Sequence, residues 1–299
     1  MLNPTFSKEY CAAVTSSYVA PESIVNRTIN GNESFDTGVE YRLQPVYGDE
    51  IWLKLERAGL TPDVLNELSI LEVCAGTGFL TYHLLSRCNP KSFTVNDISA
   101  SEIAAAKHLM YSHYPAGRID WLLGDMHTVT FGRKFDVIIG NSFIHHFYNV
   151  PQVLARFSDL LNPGGVFITL HEPTPMSTVV EGGPILAWPW AVLAPGLVNN
   201  VARSRYKKAE PSATDLWMFE PEKLRQVALS SGFKSVDVYV WGLLRPLVIQ
   251  RKLLHLTADK PKLTEPEIET FRKAFKIDAI LNRFLPHRCF GSICVVCKI

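Results

Sequence analysis

Ile70-Leu71-Glu72-Val73-Cys74-Ala75-Gly76-Thr77-Gly78-Phe79-Leu80-Thr81 is the stretch on which the reading of the fold turns. An apolar run of strand length enters a tight glycine turn, and a helix-like pattern follows at once. Small residues at such a junction let a ligand approach the backbone, and a helix N-terminus offers unpaired N–H groups to an anionic moiety. Strand-to-helix turns also use glycine for purely structural reasons, so this loop alone leaves a nucleotide-like ligand and a simple turn both open.

Outward from that loop, apolar runs alternate with helical patterns. Strands are expected at residues 70–74, 92–96, 119–123, 135–139, 166–170, 236–240 and 291–298, and helices at 80–88, 101–113, 151–161 and 221–231. Asn162-Pro163-Gly164-Gly165 is a stop signal for the third of these helices, and Gly232 stands at the C-terminal position of the fourth. Strands joined by crossover helices predict an α/β fold built on a parallel sheet.

Three stretches fall outside this order. Residues 1–65 are expected to form an N-terminal helical cap, with a helix near 49–58 that could cover the sheet's open edge, and residues 66–299 the main domain. Insertions at about 174–217 and 243–289 interrupt that domain. Within the first, residues 182–202 carry no charge, yet Pro184, Pro189, Pro195, Gly196 and the Asn199-Asn200 pair break the run. A lid over an apolar pocket suits so many breakers better than a membrane span does. Peripheral membrane contact through 182–208 stays open, because Arg203, Arg205, Lys207 and Lys208 follow directly.

Composition narrows the partners. With 30 Lys plus Arg against 29 Asp plus Glu, the formal net charge is +1 and no basic stripe runs through the sequence, which argues against nucleic acid as partner. The N-terminal residues lack the pattern of a secretory signal. The six cysteines are scattered along a long chain and suit a reducing cytoplasm rather than a disulfide framework. Cys294 and Cys297 lie three apart on an expected strand and so on opposite faces, which argues against a shared metal; no metal site is expected.

A second chemical signal ends the second strand. In Phe93-Thr94-Val95-Asn96-Asp97-Ile98-Ser99 an acid follows the glycines by roughly twenty residues, where a carboxylate can accept the two hydroxyls of a ribose. Asp97 could instead cap the next helix, with Ser99 as the competing cap.

The order LEVCAGTGFLT, TVNDIS, GDMHTVTF, FDVIIGNSFIHHF and LLNPGGVFITLHEP resembles the class I S-adenosylmethionine-dependent methyltransferases, over roughly residues 66–175, 218–242 and 290–299. Nicotinamide enzymes usually carry a third glycine where this chain has Thr81. The resemblance implies a Rossmann-like, seven-stranded, mostly parallel sheet with helices on both faces, and S-adenosyl-L-methionine as cofactor. It implies that Glu72, Gly76 and Gly78 surround the methionine part, with Cys74 and Ala75 of the same loop among the contacts. It further implies that Asp97 holds the ribose, Ile98 packs on the adenine, Asp125 and Met126 bond the adenine edge and Asn141 lies near the methionine amino group. Cys74 is the departure, since the family commonly has glycine there.

Methyl transfer from a sulfonium is an in-line displacement, and a hydroxyl or protonated amine acceptor must also lose a proton. His146, His145 and, after the fifth strand, His171 are the candidate bases, each at the end of the sheet where open α/β folds bind ligands; packing is the plainer role for each. Trp188, Trp190, Trp217, Phe219, Tyr239 and Trp241 in or beside the insertions suit a small, partly apolar acceptor methylated on O, N or C, or they simply pack the lid. A cofactor-binding cyclase or a ligand-sensing module of the same fold is the alternative.

Overall fold

The computed structural model describes residues 45–114, 119–147, 149–174, 176–177, 218–244 and 263–299. The expected lid or membrane segment at 182–208 lies outside the described residues, as does most of the N-terminal cap. The described helices are α1 (Pro45–Arg57), α2 (Pro62–Asn66), α3 (Phe79–Leu85), α4 (Ala100–His113), α5 (Val150–Leu160), α6 (Pro221–Ser230) and α7 (Glu265–Leu281). The strands are β1 (Ser69–Val73), β2 (Ser92–Asp97), β3 (Asp120–Leu123), β4 (Phe135–Gly140), β5 (Leu161–Pro173), β6 (Ser235–Trp241) and β7 (Ser292–Lys298).

They form one sheet in the order β3-β2-β1-β4-β5-β7-β6. Pairings from β3 to β5 are parallel, while β7 runs antiparallel to both β5 and β6. The central strands read as apolar runs because both faces are covered. On one face Ile70, Val95, Val137, Ile139, Ile168, Cys294 and Val296 pack with Leu80 and Leu84 of α3 and with Trp52 and Leu55 of α1. On the other, Leu71, Val73, Ile138, Phe167, Val295 and Cys297 pack with Val153 and Phe157 of α5 and with Leu224 and Ala228 of α6. Cys294 and Cys297 thus enter opposite cores, as strand alternation requires.

Local chemistry sets the element ends. Ser99 caps α4 by accepting from Glu102 N at 3.3 Å, and Asn149 caps α5 by accepting from Gln152 N at 3.1 Å. The stop after α5 is sharper than expected, for β5 begins at Leu161 and runs through Gly164 and Gly165 to Pro173. His171 and Glu172 therefore stand inside the strand rather than beyond it. The helix expected near 49–58 starts earlier, as α1, and lies on a face of the sheet rather than at its edge: Lys54 Nζ donates to Leu170 O (2.8 Å) and to Glu50 (2.6 Å), and Trp52 Nε1 donates to His83 O (3.1 Å). Helix α7 occupies the second insertion, held by a capping box between Thr264 and Glu267.

Candidate functional site

The C-terminal ends of β1, β2, β3 and β4 meet at one rim, and a loop leaves each of them. In the first, Cys74, Gly76 and Gly78 all take left-handed backbone angles, with φ of 51°, 54° and 85°. A Cβ on Gly76 would meet nothing within 4 Å, so this turn faces open space. One on Gly78 would sit 2.9 Å from Ala106 Cβ, so that glycine lets α3 approach α4. Cys74 carries a side chain in a conformation that costs an L-residue roughly 1 kcal/mol or more, which is the physical reason glycine suits the position.

Three carboxylates surround the loop. Glu72 is fully buried beneath it, and its Oε2 accepts from Thr81 Oγ1 at 2.8 Å, while Oε1 is buried with no hydrogen-bond partner. Burial pushes its pKa up to about 8; hydrogen bonds from Thr81 pull the other way and the Asp97 charge adds to the rise. Asp97 ties two loops together: Oδ2 accepts from Gly76 N and Oδ1 from Ser99 N, both at 2.8 Å. The competing cap reading is therefore divided, because Ser99 caps the helix and Asp97 holds the turn before it. Burial raises the Asp97 pKa, against the lowering pull of amides from Ser99, Gly76 and Ile98.

The third loop, after β3, is held in place by Asn96, whose Nδ2 donates to Leu122 O and Gly124 O, each at 3.0 Å. Asp125 Oδ1 accepts from His127 N and from His127 Nδ1, both at 2.9 Å. Burial alone would raise Asp125, but His127 and the Arg156 charge outweigh it and hold the carboxyl below its ordinary range. Arg156 in turn donates to the carbonyls of His127 and Val129. Met126 is buried beside Asp125, and Ile98 is half-buried.

At the end of β4 the chain passes so close to β1 that a Cβ on Gly140 would lie 2.9 Å from Val73 O. Asn141, half-buried, and Ser142, at φ 58°, lead into a 3-10 turn, Ile144–His146. Glu172, fully buried on β5, accepts from Phe143 N (3.1 Å), Ile144 N (3.0 Å), His145 N (3.3 Å), Thr169 Oγ1 (2.6 Å) and His145 Nδ1 (2.7 Å). Burial works to raise Glu172, but the His145 charge and these donors win and keep it below the usual carboxylate range. His145 is buried, and its ring centroid lies 4.0 Å from that of the half-buried His146. His171 is half-buried within β5. The structure thus unites His145 with Glu172, a pairing across 27 residues that spacing does not reveal. It also adds Thr81, which donates to Glu72, and His127 and Arg156, which hold Asp125.

Residues 71–167 match the family described as "Methyltransferase domain". Among curated relatives, malonyl-[acyl-carrier protein] O-methyltransferase of Haemophilus ducreyi is 31% identical over 98 residues, 33% of this chain and 38% of that protein. The 2-phytyl-1,4-naphtoquinone methyltransferase of Thermosynechococcus vestitus is 33% identical over 113 residues, 37% of this chain and 49% of that one. In structure, an S-adenosylmethionine-dependent methyltransferase from Mesorhizobium loti superimposes with a TM-score of 0.54 at 14% identity, over 85% of this chain and all of its own. Residues 71–167 therefore carry a methyltransferase domain, on a sheet with the fold of S-adenosylmethionine-dependent methyltransferases. The match spans less than half the length of the two curated relatives.

The rim of this domain fits S-adenosylmethionine as cofactor. Gly76 presents an open face, Glu72 keeps a buried oxygen without a partner behind it, and Asp97 fixes the spacing of the first two loops. A cationic, ribose-bearing ligand suits carboxylates placed in this way.

Proposed function

We propose that this protein transfers the methyl group of S-adenosylmethionine to O, N or C of a small, partly apolar organic acceptor in the cytoplasm. The observation that carries this reading is the Glu72–Gly76–Asp97 arrangement, a buried acceptor oxygen behind an open glycine turn that a second carboxylate holds in place. Glu72, Cys74, Ala75, Gly76 and Gly78 border the methionine part of the cofactor. Asp97 accepts from the ribose hydroxyls beside its backbone amide donors, since each carboxylate oxygen can accept more than once. Ile98 packs on the adenine, Asp125 and the Met126 N–H meet its edge, and Asn141 lies by the methionine amino group.

When bound, the cofactor supplies a methyl carbon activated by a sulfonium. The chain's contribution is then to align the acceptor with that carbon, which can be worth roughly 7–11 kcal/mol, and to take the acceptor's proton. Of the three histidines, His145 suits the second task best. Its Nδ1 donates to the Glu172 carboxylate, so in the neutral ring Nε2 is the nitrogen that takes up a proton. The names of relatives, a malonyl-[acyl-carrier protein] O-methyltransferase and a 2-phytyl-1,4-naphtoquinone methyltransferase among them, support organic acceptors. The described cysteines are free thiols, which supports a reducing compartment.

Calorimetric titration with S-adenosylmethionine and S-adenosylhomocysteine tests the reading. We expect binding that weakens about a hundredfold in Asp97→Ala, on the scale of two hydrogen bonds to a charged group. Absence of binding by the folded protein sinks it. In turnover, S-adenosylhomocysteine should appear in step with methylated product; conversion with the cofactor intact would identify the cyclase instead. His145→Ala should lower kcat on a hydroxyl acceptor by about 10²–10⁴ with little change in cofactor affinity.

A further inference from the structure

The second half of α7 differs from the rest of the described surface. Ile277, Ile280 and Phe284 are 45%, 55% and 77% exposed, and Phe284 is the most exposed of the large apolar residues described. Lys273, Lys276 and Arg283 are exposed among them. At about 100° per residue these six positions share an arc of roughly 120°. The turn after the helix continues its path, since Arg283 N donates to Ile280 O and Phe284 N to Leu281 O, each at 3.0 Å.

The charges on this arc are of one sign. The exposed acids Glu265 and Glu269 lie in the first half of the helix. Asp278, the one acid from residue 270 to 284, is turned inward and accepts from Leu243 N (3.2 Å) and Leu244 N (2.8 Å). Arg272 sits to one side and pairs with Asp49. Among the described residues, no carboxylate forms an ion pair with Lys273, Lys276 or Arg283. An apolar ridge edged by unpaired cations is the pattern of a peripheral face for an anionic lipid surface, where the apolar side chains enter the acyl boundary and the cations meet the headgroups. Among the described residues no helix is long and apolar enough to cross a membrane, so this face would lie on a bilayer.

Its position bears on catalysis. Asn282 Nδ2 donates to Val240 O at 2.6 Å, and Leu281 and Leu285 pack against Val240, Leu243, Cys289 and Phe290. The patch therefore stands at the same end of the sheet as the cofactor rim. It lies on the β6 side, three strands from β4 and about 15 Å away at ordinary strand spacing.

We propose that the face formed by Lys273, Lys276, Ile277, Ile280, Arg283 and Phe284 docks the protein on anionic phospholipid bilayers, with the cofactor rim turned toward the lipid. Vesicle flotation of the full chain tests this, with phosphatidylcholine alone and with phosphatidylglycerol added. Binding should require the anionic lipid and weaken with salt. The double variant Lys276→Glu/Arg283→Glu should bind at least tenfold more weakly, and Ile280→Ser/Phe284→Ser by a similar factor, with thermal unfolding unchanged in both. Three results would overturn the proposal: no binding of the wild type to anionic vesicles, wild-type binding by both variants, or a dimer seen by light scattering that the apolar variant dissociates while vesicle binding persists.

Discussion

Glu72 and Glu172 stand at the ends of the two strands that flank β4, both fully buried, and they behave in opposite ways. Glu172 receives three backbone amides, a threonine hydroxyl and a histidine nitrogen, and is held ionised. Glu72 receives Thr81, keeps one oxygen without a partner, and is pushed up to about 8. Depth is the same in both, so the donors decide the charge state. The Glu172 side of the rim is a finished network that fixes the turn bearing His145; the Glu72 side is unfinished and suited to a cationic ligand.

The largest test of this contrast is Glu172→Gln. Losing the charge from a buried network of this kind costs about 3–5 kcal/mol, and at about 2–4 °C per kcal/mol the unfolding midpoint should fall by roughly 10 °C. A midpoint shift of only a degree or two would show that the network is not a structural anchor. Glu72→Gln should leave the midpoint near neutral pH within a few degrees of wild type, yet weaken S-adenosylmethionine binding roughly tenfold.

The next effect is in pH. Glu72 binds its proton more tightly folded than unfolded, so its contribution to stability is present below the ordinary value of 4.5 and is lost as pH rises toward about 8. Glu172, with a lowered pKa, contributes above 4.5 and loses that contribution as pH falls. Thermal unfolding of the ligand-free protein should show a midpoint that declines from pH 6 to 8, and Glu72→Gln should flatten that decline. An unchanged slope in the variant would assign the titration to another group.

The smallest effect is at the first loop. Cys74→Gly relieves a left-handed side-chain strain of about 1–2 kcal/mol and loses part of it to the greater freedom of unfolded glycine. The net gain should be about 1–3 °C in midpoint, whereas Cys74→Ala should give none. Equal gains from both would mean that the thiol's surroundings, not the backbone, carry the cost.

Much of this was legible in the sequence because a sheet covered on both faces writes its central strands as apolar runs, and the seven expected strands match the observed ones closely apart from the longer β5. The glycine turn and Asp97 were legible because strand-end positions are fixed by the fold. Helix α7 went unread although Thr264-Glu265-Pro266-Glu267 carries a helix-start signal and Ile268, Phe271 and Phe275 follow helical spacing, since the exposed Ile277, Ile280 and Phe284 blur the apolar period. The left-handed angle at Cys74 and the Glu172–His145 bond were not legible at all. One depends on the exact path of a turn, and the other on two segments meeting only after the sheet has formed.

The placement of β7 has a consequence for how the molecule assembles. This strand follows β6 in the order of the chain yet lies inside the sheet, between β5 and β6, and it supplies Val295 and Cys297 to one core and Cys294 and Val296 to the other. During synthesis the β5 flank has no neighbour and β6 has nowhere to attach until residues 292–298 have left the ribosome. A chain halted before that point lacks the β7 share of both cores, and so exposes two apolar surfaces at once, the kind of surface on which incomplete chains aggregate.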